Sequence, residues 1–172
     1  MNPDVKLSPF QEGDLDTLCR WRNHPDVSRF LSQRVKTIDQ ATVWFQKVTG
    51  DPNDLLLEIS VDGVLVGYGI VENVDLHSGK CEIGIVIGEP DYWGRGIGKT
   101  ALAAMLEYCF GKLLLNRVLA VIARGNERSV ALFENSVFTH EGTLREATLI
   151  NGQHTDLFLY SLLKREYLDA HA

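Results

Sequence analysis

The sequence predicts an α+β layered domain, a mixed sheet of about seven strands flanked by about four helices, spanning residues 1–172 as one unit. Three observations predict it. Short apolar runs of strand type alternate with stretches of helical periodicity in the order βααβββαβαββ. Two dipeptides, Asp62-Gly63 and Asn151-Gly152, stand between apolar runs as two-residue hairpin turns. A glycine-dense segment, Gly94 to Gly98, lies between a strand and a helix, where backbone amides can approach an anion.

The elements follow in order. "DVKLSPF" reads as the first strand, and a helix begins at Asp14 with Leu15, Leu18 and Cys19 on one face until Pro25 ends it. "TIDQATVWFQKVTG" offers Thr37 as N-cap, an apolar stripe of Ala41, Trp44, Phe45 and Val48, and Gly50 as its stop. "LLLEISVDGVLVGYGIV" is a hairpin about Asp62-Gly63, and "KCEIGIVIG" is a further strand. The glycine loop opens a helix that buries Leu102, Met105, Leu106, Cys109 and Phe110. "RVLAVIA" is a short buried strand, "ERSVALFENSVF" a helix, and "EGTLREATLI" with "TDLFLYSLLKREY" a closing hairpin.

Composition narrows the class. Hydrophobic residues at 45% and charged residues at 23% are those of an ordinary globular protein, and no apolar run reaches membrane-spanning length. The start, "MNPDVKLSPFQEGD", has neither the basic nor the apolar stretch of a secretory signal. Cys19, Cys81 and Cys109 are odd in number and scattered, which fits reduced thiols in a cytoplasm. The net charge of -6 argues against a nucleic-acid partner and is compatible with a cationic one. The five histidines have no metal-ligand spacing, so no metal is expected.

Three anions could suit "WGRGIGKT". A nucleotide P-loop needs four residues between its glycines, but Gly94 and Gly98 enclose three, and "RVLAVIA" ends without the aspartate that would hold Mg²⁺. A dinucleotide fingerprint needs G-x-G-x-x-G early in a βαβ unit; "GRGIGK" has a different spacing and follows a hairpin. A pyrophosphate on the amides from Arg95 to Lys99, at the positive end of the following helix, meets neither objection.

With that loop the chain resembles the GNAT superfamily of acetyl-CoA-dependent N-acetyltransferases. Their pyrophosphate motif is Q/R-x-x-G-x-G/A, and "WGRGIG" matches both glycine positions with Trp93 in place of Gln or Arg. "LCRWRNHPDVSRFL" is similar to the N-terminal segment of the ribosomal-protein, spermidine and amino-sugar acetyltransferase branches. "GNERSVALFENSVF" is similar to their second cofactor motif with Val137 for Gly, and the segment from His140 to Tyr167 to their closing hairpin. The resemblance implies a mostly antiparallel sheet, acetyl-CoA as cosubstrate, and a small-molecule or peptide amine as acceptor. By position it gives the pyrophosphate to Arg95, Gly96, Ile97, Gly98, Lys99 and Thr100. It gives the pantetheine arm to Val86 and Ile87, at a bulge that splays the strand, and a further cofactor contact to Asn126 with Ser129; Asn126 equally suits a helix cap.

Acetyl transfer to an amine needs a neutral nucleophile, a donor for the developing oxyanion, and a leaving thiolate. Amides near Val86 and Ile87 are the implied oxyanion donors. Glu82 stands thirteen positions before Arg95, as the general-base glutamate does in histone-acetyltransferase relatives, and shares a strand face with Gly84 and Val86. The tyrosine that many relatives use as acid is Phe133 here, which leaves solvent, Ser129, Tyr92 or Tyr160 as donors. That replacement also motivates an alternative, an inert CoA-binding sensor or interaction module. Trp21, Arg22, Phe30 and Trp44 are the implied acceptor contacts, and an edge strand of the closing hairpin allows a homodimer.

Overall fold

Val5–Pro9 (β1), Leu55–Val61 (β2), Val64–Asp75 (β3), Lys80–Ile87 (β4), Arg117–Ala123 (β5), Thr139–Ile150 (β6) and Gln153–Leu163 (β7) form one sheet. Its order in the computed structural model, which describes residues 4–31 and 35–171, is β1-β2-β3-β4-β5-β7-β6. Every neighbouring pair is antiparallel except β4 and β5. Both hairpin turns form as predicted: Asp62, Gly63, Asn151 and Gly152 all have positive φ, the geometry that suits strand twist in a two-residue turn.

Six helices are present among the described residues: Leu15–Asn23 (α1), Pro25–Ser28 (α2), Ile38–Gly50 (α3), Ile97–Glu107 (α4), Glu127–Glu134 (α5) and Lys164–Asp169 (α6). The sequence reading of about four missed two. Pro25 does end α1, but it also occupies the first position of α2, where its missing N–H costs nothing, and the ring of His24 caps that helix. α6 lies in "KREYLD", which the sequence reading had run into the last strand; the Leu163 N–H donates to Glu166 and turns the chain into the helix. Thr37 caps α3 as expected, and α4 widens into a π-helical turn over Tyr108–Lys112 that keeps Cys109 and Phe110 buried.

Two helical layers cover the sheet. α1 and α3 bury Leu18, Trp21, Ala41 and Val48 against Leu56, Tyr68 and Val86. α4 and α5 bury Leu102, Met105 and Phe133 against Val71, Ile83 and Val118. The alternation of β4 therefore sends Glu82, Gly84 and Val86 toward α1 and α3, and Ile83 and Ile85 toward α4.

The feature that positions the site is a failure of pairing. β4 pairs with β5 only from Lys80 to Glu82, opposite Arg117 to Leu119. Beyond Glu82 the two strands diverge. The nearest irregularity lies on β3, where the register shifts between Glu72 and Asp75, at the start of β4. The bulge expected at Val86 and Ile87 is absent; both keep regular register with Tyr68 and Gly67.

Candidate active site

The divergence opens a cavity of about 590 Å³ between β4 and β5, a size that suits a small ligand. Ile83 to Val86 line one side, Ala120 to Ala123 the other, and Asn126, Ser129 and Phe133 close the α5 end. The facing strand edges have no strand partner there, so their polar groups are available to an extended ligand. Alternation fixes which groups those are. Gly88 N–H donates to Val66 O at 2.8 Å, so Val86 also turns its backbone polar groups toward β3. Ile85 and Ile87 turn theirs to the open edge. Ile87 O is taken by the indole N–H of Trp93 at 2.8 Å, which leaves the Ile87 N–H.

That bond accounts for the tryptophan in the glycine loop. Trp93 ties the loop to the end of β4, and the guanidinium of Arg128 lies 3.8 Å over its ring. Gly96 caps α4 at φ +79, a left-handed conformation that glycine adopts without penalty, with no side chain capping the helix. The first bond of the turn runs from Thr100 N–H to Gly96 O at 3.1 Å, so the amides of Ile97, Gly98 and Lys99 precede any intrahelical partner. Amides without an intrahelical partner at a helix N-terminus, beside an unpaired strand edge, fit a pyrophosphate with an extended arm.

At the point of divergence sits Glu82. Its carboxyl is pushed up to about 7, by burial first and then by Glu72, which stands opposite it across β3 and β4. Burial and Asp54 also raise Glu72, while Lys47 of α3 opposes them. The sheet wall of the cavity is thus acidic, with Glu82 poised to hold a proton near neutrality and Glu72 raised in the same direction.

The wall made by α1, α3 and the turn after α2 carries Arg22, Trp44 and Phe30, all lining the cavity as the sequence implied. Arg22 is buried, with its guanidinium 4.3 Å over the ring of Trp44. Trp21 is a correction: it is a core residue 1% exposed, stacked on Tyr68, with its indole N–H bonded to Glu89 at 2.8 Å. Arg20 bonds the same carboxylate at 2.6 Å, so Glu89 ties α1 to the end of β4 and lies below its ordinary value.

Tyr160 is a second correction. It is buried outside the cavity lining with its hydroxyl on Glu134 at 3.3 Å, because β7 lies behind β5 from the open edge. Tyr92 lies beneath the guanidinium of Arg95, whose carbon is 5.1 Å from the ring centre. Asn126 is the cap of α5, accepting the Ser129 N–H at 3.3 Å, and both residues line the cavity. The sequence reading missed Glu72, which strand register sets opposite Glu82, and Asp54 and Lys47, which act on Glu72 in the same cavity. Period-two alternation could have put Glu72 on the strand face, but not opposite Glu82.

A splayed strand pair, a glycine loop opening a helix, and a carboxylate between them define an acyl-CoA-dependent transferase. The chain belongs to the GNAT acetyltransferase family, whose domain matches residues 4–139, and is an N-acetyltransferase that uses acetyl-CoA. It is 29% identical over 169 residues to the uncharacterized N-acetyltransferase p20 of Bacillus licheniformis, covering 95% of this chain and 94% of that one. It is 40% identical over 117 residues to the candidate ribosomal N-acetyltransferase YdaF of Bacillus subtilis (strain 168), covering 68% of this chain and 63% of that one. The spermidine N-acetyltransferase of Vibrio cholerae, solved in complex with CoA and spermine, superposes with a TM-score of 0.87 at 23% identity, over 95% of this chain and 98% of that one. That last likeness concerns the fold. Nothing in these relatives supports an inert module.

Proposed function

We propose that the cavity receives a primary amine and that Glu82 accepts its proton as the amine attacks the acetyl carbon. The observation that carries this is the place and state of Glu82, at the divergence of β4 from β5 with its carboxyl raised to about 7. An alkylamine near pKa 10 is almost wholly protonated at neutral pH, so a base with that affinity makes the nucleophile available. Bound acetyl-CoA supplies an acetyl thioester.

The chain's own groups hold and polarise it. We assign the pyrophosphate to the loop and first turn from Arg95 to Thr100, and the arm to the open backbone edge at Ile85 and Ile87, flanked by Asn126 and Ser129; Val86, whose backbone faces β3, contributes to the cavity wall rather than to that edge. The Ile87 N–H, free to face the edge, is the oxyanion donor. Phe133 supplies no proton, so the thiolate leaves toward solvent, with the Ser129 hydroxyl nearest to hand; a thiol near pKa 8.5 tolerates this. The acceptor wall is Arg22, Phe30 and Trp44. The site needs no metal.

The net charge of -6 suits a cationic acceptor rather than nucleic acid. No helix among the described residues is long and apolar enough to cross a membrane, and the described cysteines are free and buried; we place the protein in the cytoplasm as one catalytic domain. The outer edge of β6 is the surface through which two copies would pair.

The test is thiol release from acetyl-CoA with a panel of primary amines, with the acetylated product confirmed by mass spectrometry. Turnover above hydrolysis with at least one amine is expected. Release that stays at the hydrolytic rate with every amine at millimolar concentration sinks the proposal.

A further inference from the structure

Arg22 is a buried charge that none of the described residues pairs. It is 7% exposed, and its Nε and Nη1 have no hydrogen-bond partner among the described residues. Three other arginines, Arg20, Arg117 and Arg124, each hold a carboxylate. The cavity that Arg22 lines also contains Asp51, Asp54, Glu72 and Glu82, yet none of them bonds it. Trp44 covers one face of the guanidinium at 4.3 Å, which stabilises the charge but accepts no N–H at the edge. Buried donors left unmade are costly, and a guanidinium cannot shed its proton to escape the cost. Both nitrogens are closed off from solvent, so an anionic oxygen brought into the cavity that Arg22 lines satisfies them as the guanidinium turns toward it.

The two walls therefore differ in sign. The sheet wall offers the carboxylates of Glu72 and Glu82, and the α1 wall offers the unpaired cation of Arg22. A polyamine carries only positive charge and donors, so it would answer the first wall and oppose the second. We propose that the acceptor carries an anionic oxygen, as carboxylate or phosphate, beside its amine, and that Arg22 is the specificity residue that receives it. This rests on the reading of the cavity as the acceptor site.

The experiment measures kcat/KM at saturating acetyl-CoA for two matched pairs and a polyamine. Glycylglycine against glycylglycinamide forms the carboxylate arm, glucosamine 6-phosphate against glucosamine the phosphate arm, and spermidine stands alone. The anionic member of at least one pair should exceed its neutral counterpart by about tenfold or more, the gain of a charge-assisted hydrogen bond, and that arm identifies the source of the oxygen. Arg22→Met should collapse this ratio toward one, and Arg22→Lys should leave an intermediate ratio. If Arg22→Met fails to fold, the wild-type ratios and Arg22→Lys decide.

Neutral members equal to or better than anionic ones in both arms overturn the proposal, as does spermidine being the best substrate. A ratio that survives Arg22→Met overturns it too. Turnover of spermidine alone would leave the acceptor-site reading standing while removing the anion from it. Turnover of no member overturns that reading and the role of Arg22 together.

Discussion

The donor and acceptor halves of the proposed site are built from different parts of the chain. In the proposed donor half the groups are backbone: the amides of Ile97 to Lys99 and the open edges of β4 and β5. At the acceptor end they are side chains converging from α1, α3, β3 and β4, namely Arg22, Trp44, Glu72 and Glu82. A backbone site needs glycine where side chains would intrude and a strand that stops pairing, and it tolerates exchange of its neighbouring side chains. A side-chain site depends on identity at every position. The donor end should therefore resist side-chain truncation and fail on backbone change, and the acceptor end should do the reverse.

The largest effect sharpens the acceptor half. Glu82→Gln keeps size and burial but removes the base, and kcat/KM for the amine should fall by about 100-fold or more, with the KM for acetyl-CoA little changed. A fall of less than about fivefold would remove Glu82 from proton transfer, since general-base catalysis contributes well above that. The same variant also tests linkage. The raised carboxyl means the folded state holds more protons than the unfolded state between 4.5 and about 7, so stability falls as pH rises through that window. Glu82→Gln should melt higher than wild type at pH 8 and alike at pH 4.

Next comes the joint between the halves. A Cβ on Gly88 would lie 2.1 to 2.4 Å from ring atoms of Trp21, so Gly88→Ala must displace an indole that is packed in the core and bonded to Glu89. A loss of about 2–3 kcal/mol in a denaturant melt is expected from such overpacking. An unaffected midpoint would show that Trp21 does not fix α1 to the end of β4.

Smaller still is a pair of changes within the donor loop. Gly96→Val meets no atom but forces a branched residue to φ +79. The strain is about 1–2 kcal/mol, so the KM for acetyl-CoA should rise about tenfold while the discrimination among amines holds. Arg95→Ala removes an exposed side chain stacked on Tyr92. Its effect on that KM should stay below about fivefold, the usual worth of an exposed charge. If Arg95→Ala proved worse than Gly96→Val, side chains rather than amides would hold the donor.

What the sequence made legible follows the same division. The succession of elements along the chain, both hairpins and the glycine loop were readable, because local rules govern a two-residue turn or a left-handed cap: Asp62-Gly63 and Gly96 serve as their positions required. Glu82, Arg22, Phe30 and Trp44 were placed in the cavity by likeness to relatives. Their number on the chain says nothing about the distance between α1 and β4. Trp21 looked the same as Arg22 in that respect, yet one helical position sends the indole into the core and the guanidinium into the cavity. Tyr160 was offered as a proton donor because it is a tyrosine, but strand order sets β7 behind β5 and turns its hydroxyl to Glu134. Glu72 was invisible because its importance arises from register across a bulged strand pair. The short helices α2 and α6 escaped because each has too few residues to show a period.

The most direct test of the central claim is the pH dependence of kcat/KM for the amine, measured for wild type and Glu82→Gln at saturating acetyl-CoA. The wild-type profile should show a limb with apparent pKa of about 7, rising as Glu82 loses its proton, and this limb should be missing from the variant. The same limb in both proteins would contradict the account and assign the base to another group.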